Sequence, residues 1–169
     1  VSIVEADALT LDWNSVLAAA PRWVLVANLP YNVATPLVGD LLDAVPAIER
    51  MVVMVQREVA ERLVARAGSE AYGAVSVKVA YWATATIIGK VPASVFLPRP
   101  QVESALVEIT RRAMPAVDPS WVTGDELFGL VRAGFGQRRK MLRRALAGLV
   151  SAEVFAAAGI DAAERERVT

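Results

Sequence analysis

The 169-residue chain contains no cysteine and no histidine. Disulfides, thiolate zinc sites, cysteine nucleophiles and histidine bases are therefore excluded within it, and no metal site is expected. Charge of one sign is not in excess: 18 Lys+Arg balance 18 Asp+Glu, so net charge says nothing about partners. No uninterrupted apolar run reaches membrane-spanning length, and no signal peptide is legible. There are no internal repeats and no low-complexity tract. The chain does not begin with Met but opens on Val1-Ser2-Ile3-Val4, already strand-like, which reads as an internal fragment.

A hydrophobic fraction of 55% is ample for a core, and the length fits one domain with a small appendage. The central stretch is Asn28-Leu29-Pro30-Tyr31. It follows Trp23-Val24-Leu25-Val26-Ala27, an apolar run of the kind buried in parallel sheets. Open α/β sheets bind ligands at the carboxyl ends of their strands. Pro30 fixes its own φ and keeps Leu29 out of the helical region, leaving the Leu29 carbonyl outside any helix ladder. Asn28 adds a side-chain acceptor and Tyr31 a flat face. Two acceptors beside a ring suit a planar base bearing an exocyclic amine. A plain Asn-x-Pro turn at a strand end fits these four residues equally well.

Around that turn, residues 1–6 read as a strand ended by Asp7-Ala8-Leu9, where a solvated turn Asp is the commoner reading. Residues 14–20 suggest a short helix, capped by Asn14 or Ser15 and stopped by Pro21. Thr35 and Pro36 read as N-cap and first residue of a helix over 36–45. A strand over 50–56, a helix over 57–67 stopped by Gly68, and a helix over 74–83 follow. Strands are expected over 84–91 and 102–111, separated by a proline-rich segment containing Phe96. Residues 114–123 read as a linker. Beyond them the chain is helical, with Leu127, Val131 and Phe135 on one helix and Leu142, Ala145, Leu146 and Leu149 on the next. The fold class is thus α/β, in which a sheet ending in an antiparallel pair at its edge is followed by a small helical unit.

Arg132, Arg138, Arg139, Lys140, Arg143 and Arg144 form one basic block, and no acidic residue occurs from Leu127 to Ala152. Solvated helix faces mix signs. A stripe of one sign, with Arg139 and Arg143 a turn apart and Lys140 and Arg144 likewise, favours phosphate binding.

These stretches, taken in order, resemble the KsgA-type small-subunit ribosomal RNA adenine dimethyltransferases. The resemblance is carried by Asp7-Ala8-Leu9, by the run from Asn28 to Leu37, and by Gln56-Arg57-Glu58-Val59-Ala60-Glu61-Arg62-Leu63. It continues through Tyr72-Gly73, the run from Val95 to Ala105, and Phe135-Gly136-Gln137-Arg138-Arg139-Lys140-Met141-Leu142. It covers nearly the whole chain. It implies a Rossmann-like methyltransferase sheet over residues 1–113, lacking its first strands, a linker over 114–123 and a helical RNA-binding domain from 124 to 169. The family domain would continue beyond Thr169.

The resemblance implies S-adenosylmethionine as cofactor, with Asp7 taking its adenine amine and Ala8 and Asn28 lining its site. Asn28, Leu29, Pro30, Tyr31 and Phe96 become the catalytic residues, Tyr31 and Phe96 gripping a flipped adenine. Arg138, Arg139, Lys140, Arg143 and Arg144 become the RNA contacts. No Gly-x-Gly-type run precedes Asp7, so the fragment alone is expected to bind cofactor poorly or not at all. Residues 1–6 would have no neighbouring strand, leaving an open edge. The expected activity is dimethylation of adenine amines in small-subunit ribosomal RNA, with a role in subunit maturation. The expected partner is the small ribosomal subunit, and the intact protein is expected to be a cytoplasmic monomer. A macrolide-resistance enzyme acting on large-subunit RNA and a non-catalytic assembly protein are the two alternatives.

Overall fold

The computed structural model describes residues 1–137 and 140–161. Four strands, β1 (Trp23–Asn28), β2 (Ile48–Gln56), β3 (Ala83–Val91) and β4 (Ser104–Arg111), form one sheet in the order β1-β2-β4-β3. β1 and β2 are parallel, and β4 runs antiparallel to both β2 and β3. The last two strands are thus the expected antiparallel pair, with β3 at the edge.

The helices are α1 (Trp13–Val16), α2 (Ala34–Ala44), α3 (Arg57–Val64), α4 (Ala74–Trp82), α5 (Gly124–Gly136), α6 (Leu142–Ala145) and α7 (Ala152–Ala157). Leu37, Val38, Leu41 and Leu42 of α2, Ala60 and Leu63 of α3 and Val79 of α4 share one core. They meet Met51, Val53, Val55, Ala105, Val107 and Ile109, which alternate along β2 and β4 and so lie on one face of the sheet. α2 and α4 approach closely because residue 39 is Gly: a Cβ there would lie 3.3 Å from Lys78 Cδ.

Several expectations are corrected. Residues 1–6 form no strand; they are exposed, with Ile3 at 93%. A strand needs a partner for its backbone groups, and among the described residues none lies beside them. β1 is accordingly an edge strand and is not buried on both faces: Val24 and Val26 are 60% and 77% exposed. α1 is shorter than expected and is capped by Asp12, whose carboxylate accepts the Ser15 N–H at 3.1 Å. The N-cap of α2 is Val33, which puts Thr35 and Pro36 inside the first turn, where a missing N–H breaks no intrahelical bond. α3 ends at Val64, because Ala65 is already extended; Gly68 (φ +86°) belongs to the following turn.

Arg111 closes the core at the carboxyl end of β4. Its Nε donates to the Ile48 carbonyl at 3.0 Å, Nη1 to Leu42 at 2.8 Å, and Nη2 to Leu41 and Val45 at 3.0 and 3.1 Å. A single guanidinium thus gathers the carbonyls of Leu41, Leu42 and Val45 at the end of α2 and of Ile48 at the start of β2, those of Leu41 and Val45 accepting the Val45 and Ile48 N–H groups as well. Burial lowers its pKa and nearby Asp43 opposes that shift, yet an arginine stays charged. Asp43 also accepts the Trp82 indole N–H at 2.7 Å and pairs with Lys78, tying α2 to α4.

α5 begins with a reciprocal cap, Thr123 accepting the Glu126 N–H while Glu126 accepts the Thr123 N–H. It packs on α4 through Phe128, which meets the Tyr81 ring edge-on at 5.3 Å and lies beneath Lys78. Phe128 is the buried contact of α5, one position from the expected Leu127.

Candidate functional site

One end of the sheet gathers the residues of interest. Asn28 ends β1, Gln56 ends β2 opposite Ser104 at the start of β4, and Val91 ends β3 on the other side of Ser104. The β3–β4 connection, with Phe96 after the 3-10 turn Ala93–Val95, therefore leaves from the same end. Phe96 is half-buried there.

The Asn28–Tyr31 turn is fixed by its backbone. Leu29 N–H donates to the Met54 carbonyl at 3.1 Å, and the Pro30 carbonyl accepts from Val33 and Ala34 at 3.1 and 3.2 Å. The Leu29 side chain is buried in the core, so its backbone is anchored from below. Among the described residues no donor reaches the Leu29 carbonyl, and the Asn28 side chain carries no protein hydrogen bond. Two acceptors thus remain open side by side. Tyr31 is 39% exposed, and its hydroxyl lies 3.4 Å from Ser104 Oγ. The role of Ser104 was not visible in the sequence; its one signal was a small polar residue opening an otherwise apolar alternating strand.

Asp7 sits in a tight turn outside the sheet. Its Oδ1 accepts the Leu9 N–H at 2.9 Å, and its backbone carbonyl accepts from Thr10 and Leu11. The Ala8 carbonyl accepts the Trp13 indole N–H at 2.9 Å. A shallow hollow between this turn and α2 is lined by Ala8, Leu9, Trp13, Leu37, Asp40 and Leu41; neither Asn28, Tyr31 nor Phe96 borders it. The Asp7 carboxylate is exposed and keeps one oxygen able to accept an amine.

The basic block is differently built from expectation. Arg138 and Arg139 lie outside the described residues. Lys140 precedes α6, which is only four residues long, so Lys140 and Arg144 share no continuous helix. Gly148, at φ +82°, turns the chain soon after α6, leaving Leu149 60% exposed. Arg132, Lys140, Arg143 and Arg144 are all exposed, and none pairs with a carboxylate among the described residues. No group of His, Cys, Asp and Glu among the described residues can hold a metal. No described helix is long and apolar enough to cross a membrane.

The sheet order, and the acceptor-bearing turn at its carboxyl end, define the Rossmann-like fold of S-adenosylmethionine-dependent methyltransferases. The chain belongs to the ribosomal RNA adenine dimethylase family, whose profile matches residues 1–166. Ribosomal RNA small subunit methyltransferase A of Cutibacterium acnes is 48% identical over 98% of this chain and 57% of its own length. The protein of the same name from Kineococcus radiotolerans is 46% identical over 96% and 54%. The chain thus spans about half the length of these relatives. A dimethyladenosine transferase from Plasmodium falciparum superposes with a TM-score of 0.68 at 30% identity, covering 85% of this chain and 48% of that one. The 23S rRNA methyltransferase ErmE superposes at 0.69 with 23% identity, covering 95% and 64%, a likeness of fold.

Proposed function

We propose that the whole protein dimethylates the exocyclic amine of adenines in small-subunit ribosomal RNA, using S-adenosylmethionine, and so takes part in small-subunit maturation. The observation that carries this reading is the pair of open acceptors, Asn28 Oδ1 and the Leu29 carbonyl, held beside the exposed Tyr31 ring. An aromatic amine has its lone pair delocalised into the ring. Accepting its two hydrogens favours a pyramidal nitrogen and aims the lone pair. The proton leaves after the methyl arrives, so a site without histidine or cysteine is sufficient. The target base must be unstacked, and Tyr31 offers one face for it, with Phe96 supplying the other. Such stacking contributes about 1–3 kcal/mol per base.

For the cofactor, Asp7 and Ala8 fit the adenine end, since Asp7 retains a free acceptor oxygen, and Asn28 borders the reacting end. The one Gly-x-Gly run of the 169 residues, Gly134-Phe135-Gly136, lies in α5 and not on a strand before Asp7. Bound S-adenosylmethionine supplies an electrophilic methyl group; the residues of this chain select and orient the base.

The expected partner is the small ribosomal subunit, met by a monomer in the cytoplasm. The linker 114–123 and helical unit 124–169 would serve as the RNA-docking domain, with Arg138, Arg139, Lys140, Arg143 and Arg144 as phosphate contacts. Arg143 and Arg144, exposed and paired with no carboxylate among the described residues, support this role. Phosphate contacts carry charge and little sequence information. The double substitution Arg143→Ala/Arg144→Ala is therefore expected to flatten the dependence of log K on log salt by up to about two units, one per charge. An unchanged slope in particle binding across a salt series would mean that these side chains only face solvent.

The function itself is tested with the intact protein and methyl-labelled cofactor, offered small and large ribosomal subunits lacking the modification. Label in small-subunit adenines, up to two methyls per base, is the expected result. Label confined to the large subunit would make this a large-subunit enzyme, and binding without label would make it an assembly protein.

A further inference from the structure

Among the described residues two serines are buried, Ser76 and Ser104, at 1% and 2% exposure. A buried hydroxyl requires a hydrogen-bonding partner, and what it bonds to shows what it is for. Ser76 is explained by the fold alone: its Oγ donates to the Arg62 carbonyl at 2.6 Å and accepts the Gly73 N–H at 3.1 Å, joining α3 to α4. Ser104 has no such backbone partner. Among the described residues its Oγ meets only the hydroxyl of Tyr31, at 3.4 Å, a residue 73 positions away that belongs to the proposed base-binding turn.

The two ends of this contact differ in firmness. Ser104 is paired on both sides, to Gln56 of β2 and Val91 of β3. Just before it, the Glu103 carbonyl accepts the Arg57 N–H at 2.9 Å, and the Glu103 carboxylate pairs with Arg57 at 3.0 Å. Tyr31, by contrast, lies in a turn with its ring 39% exposed. Held only at Cβ, such a ring swings among χ1 rotamers; held also at Oη, which lies on the Cβ–Cγ axis, its long axis is fixed in direction. Ser104 also closes the β3–β4 connection that carries Phe96, so the same strand end anchors both aromatic elements.

We infer that Ser104 is a positioning residue for base methylation: its hydroxyl tethers Tyr31 so that the ring stands ready to stack on the target base beside Asn28 and Leu29. The inference rests on the proposed base-binding role of this site. Preorganisation of this kind acts on the rate of the chemical step, because a ring already in place costs no ordering when the base arrives.

The test uses the intact protein in single-turnover methyl transfer to small ribosomal subunits, with KM, particle affinity and thermal midpoint measured beside it. Tyr31→Phe keeps the ring and loses the tether; Ser104→Ala loses the tether from the other end. Each is expected to slow the step about 3- to 10-fold, the range of one neutral hydrogen bond. KM and particle affinity should not move. The double variant should be no slower than either single one, because both changes break one contact. Ser104→Thr, which keeps the hydroxyl, should recover rate. Additive losses, or normal rates in both single variants while Tyr31→Ala is slow, would overturn the tether and leave the base-binding reading standing. A normal rate in Tyr31→Ala would remove the base-binding reading and the tether with it. Should Ser104→Ala fail to fold, Tyr31→Phe at its half-exposed position decides alone: a normal rate overturns the tether.

Discussion

Asn28→Ala is expected to lower kcat by about a hundred- to a thousandfold while leaving ribosomal affinity nearly unchanged. The size follows from losing one preorganised polar contact at a reacting group, about 2.7–4 kcal/mol by analogy with lost oxyanion-hole donors. Asn28 ends an edge strand, and its side chain is exposed and without a hydrogen-bond partner among the described residues, so truncation disturbs neither the core nor a hydrogen-bond network. Surface changes of that kind stay within about 0.5 kcal/mol of stability. RNA affinity is expected to hold because the docking footprint is electrostatic and lies on other elements. The Leu29 carbonyl remains in the variant and continues to accept one amine hydrogen, so the activity falls without vanishing. Single-turnover transfer beside particle binding separates the two quantities, and near-normal turnover would defeat the role given to Asn28.

The parts of the fold legible in sequence were those where local chemistry and packing agree. The antiparallel last pair could be read because Val102 to Arg111 alternates and prolines bracket the preceding segment. The Asn28–Tyr31 turn could be read because Pro30 restricts the backbone whatever surrounds it. Residues 1–6 were misread because β-branched apolar residues have strand propensity, but a strand exists only with a neighbour. The same reason explains Val24 and Val26: their apolarity suits a strand covered on both faces, and α2, α3 and α4 all pack on one. The helix expected through Leu149 ends at Ala145, and Gly148, with a left-handed backbone, then turns the chain. Ser104 and Arg111 were invisible as roles. Each acts through partners some 60 to 70 positions distant, and no local pattern reports such a contact.

Arg111→Ala is expected to destabilise the protein by about 3 kcal/mol, with methyl transfer by the folded molecules unchanged. Four carbonyls, those of Leu41, Leu42, Val45 and Ile48, lose the guanidinium together, although those of Leu41 and Val45 keep the Val45 and Ile48 N–H groups. A hydrogen bond to a charged group contributes about 1.5–3 kcal/mol when its partner is left buried. Arg111 is only half-buried, so water reaches some of these carbonyls and the four losses do not add. The guanidinium also lies over the Trp82 ring at 5.9 Å, and truncation removes that contact as well. Arg111→Lys should retain part of the stability, because a single ammonium reaches fewer of the four carbonyls than a planar fork does. The site is insulated from the change by the sheet itself. Arg111 pairs with Ala83 at one end of β4, whereas Asn28, Gln56 and Ser104 lie at the other. Urea unfolding of the intact protein should show a lower midpoint with an unchanged slope. A loss below about 1 kcal/mol would mean that water satisfies the end of α2 as well as the arginine does, and that the guanidinium is held there by the core without closing it.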